Sequence, residues 1–363
     1  MTSPAPSLRH IGLSLGIIDS LSDGLGEFST QICERVAAQA PAWREEGIRF
    51  HLHMPARWHG RFGDAVGYLA TSKLQGQWHW QRGPRFAVWH GLNQLGRIGP
   101  PLFTRHSLLT IHDLNWLYLD DARARRRSMA KLRARLRKFD EVTTLTRHVE
   151  DDIRTHLDWT GPVSVVPNGA RDLTAHPQEV VAGLPPDRFL LHLSRLAASK
   201  NPQSLIELAA AWPEQLIVLA GPPGPDAQRV RQQVDARGGL PNLRMVHDVS
   251  DAQKAWLYAN CQAFLFPSWT EGFGLPPLEA MHFGKPVFLS DRTSLPEIGG
   301  AFAAYFPSFE GVAMRRCIET ESPRLLAMSA AIRRHAATFS WDRAVQAYLA
   351  VYRRLLALDA PAS

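Results

Sequence analysis

The sequence has few cysteines and no long apolar run. Its three cysteines lie far apart without metal-type spacing, and the odd count argues against a disulfide framework. No apolar run approaches the roughly 18–20 residues of a membrane span. The longest run near the start, Ile11 to Ile18, is short and no small-residue cleavage site follows it, so we interpret it as a buried strand rather than a signal peptide. These features favour a cytoplasmic protein.

Lysine is also scarce. Six of the 41 basic residues are lysine and the other 35 are arginine, and the net charge is +7. The 363 residues are too many for one ordinary core, so two domains are expected. The basic balance fits either a basic soluble enzyme or attraction to an anionic lipid or substrate.

Short apolar strands alternate with helical patterns in both halves of the chain. This alternation predicts an α/β protein with two Rossmann-like domains, each a mostly parallel sheet with helices on both faces. The break is predicted in Asn168–Pro186. The predicted strands are His10–Ile18, Ile48–Met54, Phe86–His90, Leu108–His112, Glu141–Leu145, Val163–Val166, Arg188–Leu193, Leu216–Ala220, Leu243–Val246, Ala263–Phe266 and Val287–Leu289. The predicted helices are Gly26–Ala38, Ala122–Phe139, Arg147–His156, Pro202–Ala211, Ala227–Ala236, Asp251–Asn260, Pro276–Phe283, Pro323–Ala337 and Trp341–Ala357.

The most informative segment is Ser268-Trp-Thr-Glu-Gly-Phe-Gly-Leu-Pro-Pro-Leu-Glu-Ala-Met281. Glu271 and Glu279 flank a Gly-x-Gly turn and two prolines. Glycine lets the backbone come close to a ligand, and proline is favoured at the first helical position. Free amides are therefore expected at a helix N-terminus, a ready anion site, and carboxylates on either side would accept the hydroxyls of a hexose and a ribose. The residues expected to present these amides are Gly272, Phe273, Gly274 and Leu275.

This segment resembles the E-x7-E motif of the retaining, nucleotide-sugar-dependent glycosyltransferases of family 4, a group with the GT-B fold. The resemblance includes Gly284-Lys-Pro-Val287 and Leu295-Pro-Glu-Ile-Gly-Gly300. It implies two Rossmann-like domains facing a central cleft, with residues 1–168 on the acceptor side and residues 169–340 binding the donor. It also implies that the helix 341–357 crosses back to the first domain. Glu271 would then hold hydroxyls of the transferred sugar, and Glu279 would hold the ribose.

Two cations follow the strand Arg188–Leu193. Arg195 stands at its end and Lys200 five residues later, an arrangement that suits a diphosphate. The stretch Ser194-Arg-Leu-Ala-Ala-Ser-Lys-Asn201 resembles the family's phosphate-binding G-R-L-x-x-x-K-N, with Ser194 in place of glycine. The sequence has no Asp-x-Asp metal motif, so neither a metal nor a cofactor is expected to help the leaving group depart.

The first half offers weaker candidates. Gly24 and Gly26 form a strand-to-helix turn, and the family resemblance implies that this loop approaches the donor phosphate or the acceptor. His112 ends a strand in a stretch resembling the family's H-D element, where the histidine faces the transferred sugar; a satisfied polar residue is the alternative. Asp113 is expected to hold the imidazole or the loop. His90 also ends a strand and is expected to line the acceptor side.

The helix Ala122–Phe139 is strongly basic. One reading is a core-packed helix with a solvated basic face; the other is a peripheral contact with the inner face of the cytoplasmic membrane or with an anionic acceptor. No nucleic-acid recognition motif accompanies the charge, so nucleic acid is not an expected partner. Its nine cations are Arg123, Arg125, Arg126, Arg127, Lys131, Arg133, Arg135, Arg137 and Lys138.

Together these features predict a glycosyltransferase of surface polysaccharide or lipopolysaccharide synthesis. It would move a hexose from GDP-mannose or a UDP-hexose to a glycan or lipid-linked acceptor. The alternatives are another GT-B enzyme, such as a nucleotide-sugar epimerase, or a catalytically decayed nucleotide-sugar-binding protein. A phosphorylase would need a lysine for pyridoxal phosphate, and only Lys200 lies in a phosphate-type loop. The intact Arg195, Lys200, Glu271 and Glu279 argue against decay.

Overall fold

The computed structural model describes residues 8–16, 18, 20–21, 24–76, 83–95 and 98–358. The chain divides into two compact units. Unit 1 takes in the residues up to Asn168 together with those from Trp341 onward, and unit 2 takes in Gly169–Ser340. Trp78 and Trp80, which the sequence suggests for an acceptor groove or an interface, lie outside the described residues. No helix in the described part of the chain is long and apolar enough to cross a membrane.

Parallel strands alternate with helices along both units. The strands are β1 Arg9–Ser14, β2 Ile48–Met54, β3 Gly67–Ala70, β4 Val88–Gly91, β5 His106–Ile111, β6 Glu141–Thr144, β7 Val163–Val165, β8 Phe189–Leu193, β9 Leu216–Ala220, β10 Leu243–Val246, β11 Ala263–Phe266, β12 Val287–Leu289 and β13 Ala304–Tyr305. The α-helices are α1 Gly24–Glu45, α2 Ala122–Leu136, α3 Arg147–His156, α4 Pro202–Ala211, α5 Ala227–Asp235, α6 Asp251–Asn260, α7 Leu275–His282, α8 Leu295–Gly299, α9 Gly311–Ala327, α10 Ser329–Ala336 and α11 Trp341–Ala357.

The two sheets share one strand order. Unit 1 has the order β3-β2-β1-β4-β5-β6-β7 and unit 2 has β10-β9-β8-β11-β12-β13, and every pairing is parallel. The predicted α/β fold with Rossmann-like sheets is confirmed. In such sheets ligands bind beyond the carboxyl ends of the strands, where the strand order reverses. That point lies between β1 and β4 in unit 1 and between β8 and β11 in unit 2.

Apolar side chains from helices and strands close the core of unit 1. Strands β4 and β6 are buried along their whole length, as expected for parallel strands covered on both faces. Helix α2 contributes Leu132 and Leu136 to this core, and Phe139 follows it. Met129 packs against the same cluster. These four residues therefore pack together against the core of unit 1.

The last helix, α11, belongs to unit 1. Arg354 donates two hydrogen bonds, of 2.9 and 2.6 Å, to the buried carboxylate of Glu141 in β6. Arg353 makes a similar pair with Glu46 at the end of α1. Because Glu141 is buried, its negative charge must be compensated, and the two hydrogen bonds from Arg354 supply that compensation.

Several elements differ from the sequence-based boundaries. Helix α1 continues to Glu45 through Pro41, because Ala40 and Trp43 keep an apolar face against the sheet. The strands β3 and β13 were not predicted; they are short and lie at sheet edges. The helix predicted from Pro323 starts at Gly311 instead and ends before a break at Met328. Ser250 and Gln253 form a capping box at the start of α6.

Candidate functional site

The two glutamates of unit 2 flank a tight turn into helix α7. Gly274 takes up φ 115°, a left-handed conformation that side chains rarely adopt. A Cβ there would also come within 2.9 Å of the Leu295 side chain. Glycine is thus required at this position for two reasons. The turn places Glu271 before the helix and Glu279 inside it, near the carboxyl end of β11.

Backbone amides of this turn have no partner within the described protein. The N–H groups of Gly272, Phe273, Gly274 and Leu275 form no hydrogen bond there, although the first three residues are buried. Pro276 and Pro277 have no N–H, so the four amides before them are the available donors at the start of α7. Buried amides are almost always paired, and a helix N-terminus favours negative charge. The turn therefore has the chemistry of an anion site.

Two hydroxyl residues after β12 hold the Glu271 turn. The amide of Glu271 donates to Thr293 Oγ1 at 2.9 Å. The hydroxyl of Ser294, which is fully buried, lies 2.9 Å from the Glu271 carbonyl oxygen and 3.1 Å from that of Phe273. Thr293 itself adopts φ 53°. The turn is thus fixed by contacts from the neighbouring strand end.

Lys200 and Glu271 form an ion pair. The Nζ of Lys200 lies 2.5 Å from Glu271 Oε1, and the two side chains are 18% and 9% exposed. Lys200 belongs to a 3₁₀ turn after β8, and its ammonium lies 5.5 Å from the centre of the Phe266 ring. An ammonium has three donors, so this pairing leaves two for a further oxygen.

Arg195 is exposed, and its side chain has no hydrogen-bond or ion-pair partner among the described residues. The backbone beside it is held by close packing: a Cβ on Gly221 would come within 2.5 Å of the Ser194 carbonyl oxygen. A Cβ on Gly224 would overlap the backbone of Leu196. The loop Gly221–Gly224 therefore supports the loop that carries Arg195.

Glu279 is oriented by a buried tyrosine. The hydroxyl of Tyr258, in α6, donates to Glu279 Oε2 at 2.8 Å. Tyr258 is fully buried, and burial followed by the Glu279 charge raises its pKa well above the ordinary value. The phenol therefore stays protonated and acts as a donor to the carboxylate.

In unit 1, Gly24 and Gly26 at the start of α1 differ in whether a side chain would fit. A Cβ on Gly26 would come within 2.5 Å of the backbone of Ser20 and Leu21, so this position needs glycine for packing. A Cβ on Gly24 would meet nothing within 4 Å. Gly24 starts α1 and is exposed.

His112 is buried with one ring nitrogen fixed. Its Nε2 lies 2.7 Å from the Leu92 carbonyl oxygen, which can only accept, so the proton is on Nε2. Burial lowers the pKa of His112 to about 4, so the ring is neutral near pH 7. Nδ1 has no hydrogen-bond partner among the described residues and is an acceptor. The Gln94 side chain holds the loop by accepting from the His112 amide and donating to the Asp113 carbonyl. Asp113 itself accepts from the Asn115 amide and so supports the loop.

His90 lies in the core instead of at a binding surface. It is fully buried, with Nδ1 2.6 Å from the Tyr352 hydroxyl and Nε2 2.7 Å from Thr110 Oγ1. Burial, and then the proximity of His112, lowers its pKa to about 3. Both ring nitrogens are used within the protein, so neither is left for an acceptor.

The basic helix α2 uses some of its arginines internally. Arg125 donates to the Leu119 carbonyl, Arg133 to the His156 carbonyl and Arg135 to the Asn93 carbonyl. Burial lowers the pKa of Arg135 to about 10. The exposed cations of the helix region are Arg123, Arg126, Arg127, Lys131, Arg137 and Lys138.

Four supporting residues were missed by sequence reasoning: Gln94, Tyr258, Thr293 and Ser294. Ser294 directly precedes the Leu295–Gly300 run that the resemblance includes, which was a usable signal. Tyr258 offered no such signal, because an aromatic residue in an amphipathic helix is normally interpreted as a core residue. Among the described residues, no cluster of three metal-ligating side chains is present.

Comparison with known proteins places unit 2 in a recognised family. Residues 180–305 match the family model described as glycosyl transferases group 1. The chain is 32% identical over 181 residues to the serotype-specific mannosyltransferase WbdA of Escherichia coli, covering 47% of this chain and 22% of that protein. It therefore spans about a fifth of the length of this relative.

Two further matches extend over more of the chain. The D-inositol 3-phosphate glycosyltransferase of Mycolicibacterium paratuberculosis is 27% identical over 306 residues, covering 78% of this chain and 65% of that protein. Among solved structures, the sucrose-phosphate synthase of Thermosynechococcus elongatus superposes with a TM-score of 0.73 at 19% identity, covering 97% of this chain and 100% of that one. The last likeness shows the fold.

Proposed function

We propose that this chain, which belongs to the group 1 glycosyltransferases, transfers a hexose from a nucleotide-diphosphate sugar to a glycan or lipid-linked acceptor. The observation that carries the proposal is the Lys200–Glu271 pair beside the unbonded amides of Gly272–Leu275. A cation and a set of buried donors next to a carboxylate match a ligand with a diphosphate at one end and hydroxyls at the other. Surface polysaccharide or lipopolysaccharide synthesis is the proposed setting, supported by the serotype-specific mannosyltransferase relative.

The donor is proposed to bind unit 2 through three kinds of group. Arg195, Lys200 and the amides of Gly272–Leu275 bind the diphosphate. Glu271 accepts hydrogen bonds from hydroxyls of the sugar, and Glu279, held by Tyr258, accepts those of the ribose. The mannosyltransferase relative supports mannose as the transferred sugar. GDP-mannose is therefore the first proposed donor, and a UDP-hexose is the other candidate.

Unit 1 is proposed to supply the acceptor side. The neutral His112 presents Nδ1 as an acceptor for a hydroxyl of the transferred sugar. Gly24 leaves open space at the start of α1, where the proposed substrate comes close to the backbone. The exposed cations of α2 are proposed to contact an anionic membrane surface or a lipid-linked acceptor, because no base-reading element accompanies them.

Transfer is proposed to retain the anomeric configuration and to use no metal. The bond between the sugar's anomeric carbon and the phosphate oxygen breaks, and the acceptor oxygen forms its bond to that carbon on the same face. The acceptor's proton passes to the departing phosphate oxygen. Arg195, Lys200 and the turn amides stabilise the charge that develops on the diphosphate. Glu271 positions the sugar without forming a covalent bond.

A thermal-shift panel with UDP, GDP and their sugar conjugates, with and without magnesium, tests donor binding. A ligand that binds only the folded state adds about 2.7 kcal/mol at 100 times its dissociation constant. We expect a shift with one base only, independent of magnesium and reduced in Glu279→Ala. NMR of the product with that donor would then show the anomeric configuration. No shift with any nucleotide would contradict the proposal. If the protein released a sugar nucleotide or a nucleotide from the donor without any acceptor present, an epimerase would be favoured instead.

A further inference from the structure

A polar recess on unit 2 adjoins the loop that carries Lys200, and the proposed transfer does not use it. The turn before α4, the start of α4, the helix α5 and Trp269 form its walls. Its cavity volume is about 130 Å³, and the recess is open to solvent. We call it the Trp269 recess. The residues that carry the argument are Asn201, Gln203, Asp226, Arg229, Gln233 and Trp269.

Trp269 lines the recess and is held in position by contacts of its backbone and its ring. Its amide donates to the Ser199 carbonyl at 2.7 Å, which ties it to the Lys200 turn. The Arg292 guanidinium lies 4.7 Å from the centre of the indole, and the Phe309 ring packs against it at 4.7 Å in a T-shaped arrangement. The residue is nevertheless 37% exposed. A braced, partly exposed indole is a low-entropy surface for the C–H face of a sugar ring.

Two buried side-chain atoms in the recess walls have no hydrogen-bond partner in the described part of the chain. They are Nδ2 of Asn201 and Oε1 of Gln203. The other end of the Gln203 amide donates to Glu207 at 2.6 Å, which fixes the orientation of the free oxygen. Leaving buried polar atoms unpaired is unfavourable. One donor and one acceptor in the residues that line the recess therefore remain unpaired, and both atoms are buried.

The charge of the recess selects against an anion. Asp226 contributes one carboxylate, which also accepts from the Ala198 amide at 2.6 Å, and Arg229 contributes one guanidinium. Gln233 adds a neutral amide. A phosphate or carboxylate would meet as much negative as positive charge here. A neutral ring with several hydroxyls can pair with the carboxylate, the guanidinium and the amide, and can pack against Trp269.

We propose that the Trp269 recess binds a neutral hexose unit of a glycan, as a second carbohydrate site separate from the donor site. Identifying that glycan as the acceptor or the product of transfer rests on the proposed function. A chain held there would remain attached to unit 2 between transfers. The site would thereby favour repeated addition to one glycan.

The test uses the full chain labelled with 5-fluorotryptophan and observed by ¹⁹F NMR. The Trp269 resonance is assigned from its loss in Trp269→Phe. Mannotriose and maltotriose are titrated with UDP and GDP present at saturating concentration. We expect at least one trisaccharide to shift the Trp269 resonance. Binding in the variants is followed on the sugar by saturation-transfer NMR. It should vanish in Trp269→Ala, weaken about threefold or more in Gln233→Ala, and persist in the control Trp212→Phe.

Several outcomes would overturn the proposal. These are no shift of Trp269 with either trisaccharide, binding that survives Trp269→Ala, or binding that the nucleotides abolish. A shift with uridine or inorganic phosphate but not with a trisaccharide would also overturn it. If Trp269→Ala does not fold, as judged by circular dichroism, Gln233→Ala decides. Failure to bind any nucleotide while trisaccharides still bind would refute the transfer proposal and leave this site standing.

Discussion

The two units share a strand order but treat their polar side chains differently. At the end of β4 in unit 1, His90 is fully buried and both of its ring nitrogens are bonded within the core. At the ends of β8 and β11 in unit 2, Arg195 is exposed and the Lys200–Glu271 pair reaches the surface. His90 is therefore closed within the core, whereas Arg195 and Lys200 are left able to bind a ligand. The fold sets where a site can lie, and the side chains decide whether one is there.

The largest expected effect comes from Lys200→Ala. The change leaves the nearly buried carboxylate of Glu271 without its cation and removes a donor to the leaving diphosphate. We expect transfer to fall by about 10²–10³-fold, measured as kcat/KM for the donor. Lys200→Arg, which keeps the charge, should retain more activity.

A matched change in unit 1 is the control for this comparison. Thr110→Val removes the partner of His90 Nε2 and should lower the free energy of unfolding by about 1–3 kcal/mol while transfer by the folded protein is kept. If Lys200→Ala kept full activity, or if Thr110→Val abolished transfer in folded protein, the contrast between the units would be wrong.

Mild acid should destabilise unit 1 more than unit 2. Burial lowers the pKa of His53, His90 and His112 in unit 1 to about 4, 3 and 4, and that of His192 in unit 2 to about 4. The unfolded chain takes up these protons near pH 6.5, so the stability is present above that pH and is lost as pH falls towards 4. Each histidine should remove about 1 kcal/mol per pH unit below 6.5.

Hydrogen exchange of the whole chain at pH 7 and pH 5.5, followed by mass spectrometry, measures this difference. Protection corrected for intrinsic rates should fall more in the sheet of unit 1 than in that of unit 2. His53→Gln, which keeps a polar group beside Ser14, should remove part of the pH dependence in unit 1. Earlier loss of protection in unit 2 would contradict the expectation.

The smallest expected effect comes from Tyr258→Phe. It removes one hydrogen bond to the Glu279 carboxylate, and such bonds to charged groups contribute about 1.5–3 kcal/mol. We expect the KM for the donor to rise about tenfold with little change in kcat, because the bond orients a binding group. Steady-state kinetics over donor concentration checks this. An equal loss of kcat with unchanged KM would mean that Tyr258 does not act through donor binding.

Local patterns account for what the sequence could predict. The turn at Gly274 and the prolines after it follow from backbone conformation alone, so the position of Glu271 before a helix was readable. The alternation of strands and helices was readable for the same reason. Edge strands such as β13 were not, because two residues leave no periodicity to detect.

Contacts between distant residues account for what the sequence could not predict. The role of His90 depends on Tyr352, which lies 262 residues away. Ser294 and Tyr258 reach the glutamates from neighbouring elements, 21 to 23 residues apart along the chain. No local pattern encodes such neighbours. The sequence around a histidine at a strand end is therefore the same whether the side chain packs in the core or binds a ligand.

The membership of α11 in unit 1 has a consequence for synthesis on the ribosome. All of unit 2 is translated between the two segments of unit 1. Domains generally fold as they emerge, but here the earlier unit lacks the Tyr352 hydroxyl for His90 and the Arg354 partner for Glu141 until the last helix leaves the exit tunnel. Unit 1 therefore cannot complete its core until unit 2 has been translated, although its first residues are made long before those of unit 2.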